Sequence, residues 1–599
     1  MKRFGDWIAR QTRKVSLAIL RFPFTVLCLT LTAALLFYLI SLDTTPPLWV
    51  EKSILALAVG VLLGILAQVS MERFRLQAKW KIGINTGALA LTLAYLALLW
   101  PAADIENVMV VRTLVTCFAI LCAVLWLPAF RDGNDFNKLA LIHFKSFFTA
   151  LLYSGVLFAG LAAILFAVDQ LLFSISSESY AYAAVLVWVL FAPLFYLSQL
   201  PPFALKTEED AAVTTQKEHY TRFLEVLISY IAIPLFTAYT LVLLAYMVKI
   251  LVTRVWPIGL LGPMVLIYSA VGIVLFVLAS LPENHSATLF RRIFPKVWIP
   301  VIIMQMISVW IRLNAYGITE SRYYVALFAV FSLVSAVILS LRPVKANRVI
   351  ALLAAIFALV SILPPVDAFT MSLSSQTNRL EQYLTDAKIL SDGQLTPQPE
   401  ASDKTKLEVT NILNYLQYNH SLSHLTWLPA DFNIWNDMKD TFGFEPTWSI
   451  PGEDYPNYYS VSLDAEVPLD IEGYDRAVLI YSYIYAKPEP EGEGNVLTYP
   501  ISVNGKAYTL MVERMSGFDV SIRLLDDADQ ALVQTELHPY LDVILDHYPE
   551  GGVQAPQALT FMASQGDYQL KVVFQSINAT IGGANSGADY NAYILVDIP

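Results

Sequence analysis

Apolar runs of membrane-spanning length recur from residue 22 to about residue 370 and then stop. About 20 apolar residues in a helix cross the hydrocarbon core of a bilayer. No water is available there, so each run must pair its backbone groups internally, as a helix does. Eleven segments qualify, at residues 22–41, 53–71, 82–100, 108–130, 146–173, 181–200, 223–251, 261–281, 297–313, 323–341 and 349–369. The expected fold is a polytopic α-helical membrane protein of about eleven spans, followed by a C-terminal α+β soluble domain that is mostly antiparallel β. Residues 1–21 form a basic N-terminal segment, 22–370 the multi-pass domain, 371–450 a helical lead-in and 451–599 a β-rich domain. At 56% hydrophobic and only 15% charged, the chain is far from the composition of a soluble protein of its size.

Charge divides at the same place. Residues 1–370 hold 28 Lys and Arg against 18 Asp and Glu, whereas residues 371–599 hold 11 against 32. So acidic a C-terminal domain repels nucleic acid and anionic lipid, and no nucleic-acid partner is expected. The partners expected are the lipid bilayer and an envelope glycan, lipid or exported protein. Loops on the N-terminal side of the spans carry 22 Lys and Arg, against six on the other side: Lys52, Arg112, Lys249, Arg254, Arg312 and Arg322. Positive loops stay in the cytoplasm. An odd number of spans then places the N-terminus in the cytoplasm and the acidic domain outside the bacterial inner membrane. The first apolar run follows six basic residues and is too long for a cleaved signal's core, so it reads as an uncleaved anchor. Residues 5–20 suit an amphipathic helix on the cytoplasmic surface. Trp100, Tyr180, Trp256 and Trp298 fall near expected interfaces, and Pro234 is expected to kink its span. The three cysteines, Cys28, Cys117 and Cys122, all lie in apolar segments, so no disulfide ties the C-terminal domain.

In the C-terminal region, residues 371–390 read as a helix leaving the membrane, and 403–418 space apolar residues at a helical period. Beyond residue 457 the pattern alternates, as in the strands RAVLIYSYIYA and KAYTLMVER. Asn504-Gly505, between ISV and KAY, is the turn signature of a two-residue hairpin. A sandwich is the expected arrangement.

Five places invite a functional reading. Residues 310–325 join two spans and hold Arg312, Asn314, Tyr316, Gly317, Thr319, Glu320 and Arg322. Charges beside a bilayer are costly unless paired or solvated. Arg312 and Arg322 could grip an anionic headgroup or carboxylate, or dock the C-terminal domain; the bland alternative is a structural clasp with Glu320 pairing an arginine. Asp169 and Gln170, with Arg112 as a partner for Asp169, are intramembrane polar candidates for a proton or cation path. His219, Glu225 and Lys249 sit at span ends. His420 and His424 are four apart but lack the glutamate of the HExxH pattern, and the helix before them ends near Asn419. The loop at 582–593 is rich in Gly, Asn and Asp, which is turn chemistry first and a calcium site only remotely. Trp427, Trp435 and Trp448 could form a binding platform, core packing being the ordinary alternative.

The sequence has no Walker A loop, no GxGxxG, no GxSxG and no CxxC. No catalytic residue, metal site or cofactor is expected from it. Three functions stay open: an envelope protein that presents a binding domain; a transporter or flippase using Arg112, Asp169 and Pro234; and a polyprenyl-phosphate glycosyltransferase with Asp43 after its first span. Three blocks, YIAIPLFTAYTLVLLAYMVKI with VWPIGLLGP (230–250 and 255–263), RLNAYGITESRYY (312–324) and SLSSQTNRL (372–380), resemble in their order the bacterial multi-pass family named only as domain of unknown function 4153. The resemblance implies a cytoplasmic-membrane protein and brings no activity, substrate or site residue with it.

Overall fold

Eleven apolar segments have to become helices, and in the computed structural model each expected span overlaps one. The structure describes residues 2–42, 45–105, 107–130, 135–202, 220–254, 256, 261–429, 431–448, 457–481, 496–516, 519–547, 552–581 and 587–599. It divides into two units, Met1–Gln382 and Tyr383–Pro599.

The described residues of the first unit form helices and their connections. α1 (Lys2–Arg21) leads into α2 (Pro23–Ile40), α3 (Leu48–Arg73), α4 (Ala78–Leu99) and α5 (Asn107–Trp126). α6 (Phe136–Leu171), α7 (Glu178–Gln199), α8 (Arg222–Thr253) and α9 (Leu261–Leu278) follow. The unit continues with α10 (His285–Tyr316), α11 (Glu320–Leu341), α12 (Asn347–Val360) and the first part of α13 (Ala368–Asp386). Among the described residues, nine of these helices are long and apolar enough to cross a membrane. α9 and α12 are shorter; α12, at 14 residues, rises only about 21 Å at 1.5 Å per residue.

The sequence boundaries need correction at three places. α6 and α10 begin about ten residues earlier than their apolar runs, because Lys138, Lys145, Arg291 and Arg292 extend the helices as polar turns. The last expected span stops at Val360 and not at residue 369, where Pro364 and Pro365 prevent continuation. Trp298 is not an interfacial residue. It is fully buried and donates its indole N–H to Ser269 Oγ at 2.8 Å, stacked on Phe294 at 5.1 Å.

Close helix packing follows from small residues. Gly60 and Gly64 lie one turn apart on α3, the small-xxx-small spacing that lets membrane helices approach. A Cβ at Gly60 would sit 2.9 Å from Thr92 Cγ2 of α4 and 3.0 Å from Cys28 Sγ of α2. At Pro234 the helix carries a π turn, Leu227–Ala232. A second π turn, Val185–Phe191, precedes Pro193. Proline lacks an N–H and crowds the carbonyl four residues back, and the wider π turn accommodates both. The same Pro-Leu-Phe triplet follows each π turn.

Two charged residues of this unit, Arg21 and Lys52, are satisfied at helix ends. Arg21, the last residue of α1, makes two 2.7 Å bonds to the Glu72 carboxylate and also donates to the Leu200 and Pro201 carbonyls, joining α1, α3 and the end of α7. Buried Lys52 donates to the carbonyls of Trp100, at 2.8 Å, and Ala102, where α4 ends. A cation at a helix C-terminus is favoured by the dipole.

The second unit contains α14 (Asp403–Tyr418), capped by the Ser402 hydroxyl, and α15 (Met438–Phe442). Its small hairpin pairs β1 (Leu390–Ser391) with β2 (Gln394–Leu395). The larger sheet runs β4 (Arg476–Tyr481), β12 (Gly587–Asp597), β11 (Tyr568–Ile581), β3 (Asn457–Leu463) and β9 (Gly552–Gln554), with β10 (Thr560–Gln565) also on β11. A four-stranded sheet orders β5 (Val496–Val503), β6 (Lys506–Ser516), β7 (Asp519–Leu525) and β8 (Ala531–Glu536). All pairings are antiparallel except β3 with β9. Both sheets and α16 (His538–His547) contribute to one apolar core that includes Phe574, Leu510, Ile522 and Leu541. Asn504 and Gly505 have φ of 51° and 79°, the doubly left-handed turn that a two-residue hairpin requires.

Candidate functional site

The polar residues between α10 and α11 form a corner whose backbone does most of the bonding. α10 ends at Gly317, with φ 68° and ψ −177°. This is a region open essentially to glycine alone. The reversal leaves the carbonyls of Ala315, Tyr316, Gly317 and Ile318 without helical partners, and side chains from two helices take them up. Arg322 Nη1 donates to Tyr316 O at 3.0 Å and Gly317 O at 3.1 Å, with its guanidinium 5.3 Å from the centre of the Tyr316 ring. From α13, Gln376 Nε2 donates to Tyr316 O at 3.1 Å and Ile318 O at 2.8 Å. Arg379 donates to Tyr316 O at 2.6 Å and Ala315 O at 3.1 Å. The Ser375 hydroxyl accepts the Ile318 N–H at 2.9 Å. The corner is therefore a clasp on α13.

A second grip lies at the start of that helix. Asp367 is fully buried and caps α13, accepting from the N–H groups of Phe369 at 3.1 Å and Thr370 at 3.2 Å and from the Thr370 hydroxyl at 2.6 Å. Arg112 of α5 pairs with it at 3.3 Å and lies 5.2 Å over the Phe369 ring. The Tyr323 hydroxyl donates to the Val366 carbonyl. Burial by itself would raise the Asp367 carboxyl, but the hydrogen bonds from Thr370, Arg112 and Phe369 outweigh it and hold the pKa below its ordinary 3.8. A depressed carboxyl contributes stability above its unfolded pKa and loses it as pH falls through the folded value. Asp367→Asn is accordingly expected to cost about 3 kcal/mol at pH 7 and less as acid protonates the carboxyl, read as the thermal midpoint of the full chain in detergent at neutral and acid pH.

The other sequence candidates take different roles from those expected. Arg112 reaches Asp367 and not Asp169. The Asp169 carboxylate instead accepts the Ile175 N–H at 2.9 Å and the Gln170 amide at 3.0 Å, closing the turn after α6. Glu225 accepts from Asn284 at 3.0 Å, and Lys249 is exposed. Asn314 and Tyr316 are exposed, Glu320 is half-buried in the first turn of α11, and Arg312 turns toward a cavity described below. His420 takes a left-handed conformation just after α14, which breaks the face it would share with His424. Asp43, His219 and residues 582–586 lie outside the described residues. Among the described residues no three His, Cys, Asp or Glu side chains come together as a metal site.

In the second unit, two tryptophans are exposed side by side. Trp435 and Trp448 are 62% and 45% exposed, with ring centres 5.3 Å apart and planes tilted by 31°. Trp435 sits on a loop fixed by the Asn433 and Asp437 side chains, which bond the backbone of residues 435 and 433. Trp427 is half-buried.

Asp367, Tyr323, Ser375, Gln376 and Arg379 escaped the sequence reading as site residues. Asp367 did carry a signal, since Asp followed three residues later by Thr at the start of a helix is a capping pattern. Both blocks that meet here, residues 312–324 and 372–380, fall inside residues 26–395, which match the family described as Domain of unknown function (DUF4153). The chain belongs to that family. Over 307 residues it is 24% identical to an uncharacterized protein, PM1469, of Pasteurella multocida (strain Pm70), in an alignment covering 47% of this chain and 52% of the relative. The chain thus spans about half the length of the curated relative it matches. No solved structure matches the chain. Within the family region the polar clasp joins two segments that lie about 60 residues apart in sequence.

Proposed function

We propose that this DUF4153 protein is an integral protein of the bacterial cytoplasmic membrane that presents its C-terminal domain outside the membrane to bind a neutral envelope glycan. The observation that carries the reading is the exposed Trp435–Trp448 pair. Large aromatic faces left in water mark binding surfaces, and they suit the apolar faces of sugar rings. The excess of 21 acidic residues over basic ones in 371–599 disfavours anionic polymers and anionic lipid as the ligand. The membrane unit supports the same reading, because its polar corner holds the helix through which the chain passes to that domain. With the shorter α9 and α12 taken as crossings beside the nine long helices, the positively charged loops fall on the N-terminal side and support a cytoplasmic N-terminus. The transporter reading draws no support from its own residues: Arg112 is engaged by Asp367, and Asp169 closes a turn.

Location is tested first. Ser564 is exposed on β10, in a domain without cysteine. Ser564→Cys is expected to react with a membrane-impermeant maleimide in intact cells, above the background of the unsubstituted protein. Reaction only after lysis would place the domain in the cytoplasm and end the envelope reading.

A further inference from the structure

A cavity of about 150 Å³ lies between the start of α9, the last turns of α10 and the first turn of α11. Arg312, Arg322, Ser308 and Ser321 supply its polar lining, and Gly262, Pro263 and two valines its walls. Every ionisable group that lines it is a cation, and no carboxylate does. Arg322 is positioned there by the Tyr316 and Gly317 carbonyls. Arg312 is half-buried and makes no hydrogen bond or ion pair among the described residues. Its guanidinium nitrogens stay accessible at the cavity, so a ligand that enters can reach them. The Ser308 side chain, one turn before Arg312, is buried against the same cavity. Gln305, a further turn back, holds the opposite wall by donating to the Gly262 carbonyl at 3.2 Å. α11 begins here, so its dipole adds positive potential.

Two guanidiniums with serine hydroxyls match the oxygens of a phosphate group, which takes forked donors from arginine. Exposed Trp310 and Tyr316 flank the site, as aromatic residues do at headgroup depth. We infer that this cavity binds the phosphate of a membrane phospholipid, with Arg312 as its principal donor. The site is separate from the tryptophan pair and independent of what that pair binds.

The test uses the full chain purified in detergent and native mass spectrometry. The probes are phosphatidylglycerol, diacylglycerol with the same acyl chains, and inorganic phosphate. The unsubstituted protein is expected to hold phosphatidylglycerol at least about tenfold more tightly than diacylglycerol, and Arg312→Gln to remove that preference. Displacement of phosphatidylglycerol by millimolar inorganic phosphate, abolished in Arg312→Gln, would keep the phosphate site and assign it to the free ion. Ser308→Val, which narrows the cavity without touching charge, gives a second reading should Arg312→Gln fail to fold, and it is expected to weaken phosphatidylglycerol at least threefold. Equal binding of the two lipids by the unsubstituted protein, or unchanged phosphatidylglycerol binding in both variants, would overturn the inference.

Discussion

Gly317→Ala is expected to lower the stability of the full chain by about 2–4 kcal/mol and to open residues 368–386 to protease. Two independent costs act together. The backbone at φ 68° and ψ −177° is strained for any residue with a side chain. The added Cβ would also fall 2.6 Å from Arg379 Cδ and 2.9 Å from Gln376 Nε2, so the clasp must open to admit it. Arg379→Ala alone removes the hydrogen bonds to the Tyr316 and Ala315 carbonyls at a half-buried position and is expected to cost about 1 kcal/mol. In the double variant the losses should fall short of additive, because removing Arg379 relieves part of the overlap. Thermal midpoints in detergent and limited proteolysis give the comparison. A Gly317→Ala protein as stable and as protease-resistant as the parent would show that the corner does not hold α13.

The second large effect is expected in the C-terminal domain. Trp435→Ala and Trp448→Ala should each weaken binding of N-acetylglucosamine oligomers to the full chain about fivefold to tenfold. Trp435→Phe should retain most of the affinity, since a ring face remains. Neither alanine change should alter the thermal midpoint by much, because both side chains are largely exposed. Salt separates this reading from its main competitor. Stacking on a neutral sugar changes little between low and high ionic strength, whereas a cationic protein partner attracted by the acidic domain dissociates as salt rises. Wild-type affinity in both alanine variants would remove the glycan reading. Binding only to a basic partner, lost in salt, would replace it with a protein interaction.

The helical character of the apolar runs between residues 22 and 360 was legible because solvent leaves little choice: a run of apolar residues in a bilayer must satisfy its own backbone, and only its length need be counted. Helix ends were less legible. Polar turns extend α6 and α10 beyond their apolar stretches, and hydropathy does not register them. In the C-terminal domain, the hairpin at Asn504-Gly505 and helix α14 were readable from local signals, a left-handed turn pair and a capped helical period. β8 and β10 were missed: ALVQTE and TFMASQ are short and half-polar, and they become strands through their pairing with β7 and β11.

The candidate site shows the same division. Its residue types were visible, since arginines and tyrosines beside a span are conspicuous. Their roles were not. Arg112 stood as a partner for Asp169, 57 residues away, and lies against Asp367, 255 residues away. Arg312, near the end of α10, and Arg322, in the first turn of α11, both line one cavity, but only Arg322 also clasps the Tyr316 and Gly317 carbonyls. By itself the sequence determined which segments are helical, which half is acidic and which residues are polar enough to matter, because those follow from solvation and local backbone preference. Tertiary structure alone decided which charge meets which acceptor and which tryptophans stay in water, because a hydrogen bond acts over about 3 Å and only folding brings residues 316 and 379 that close.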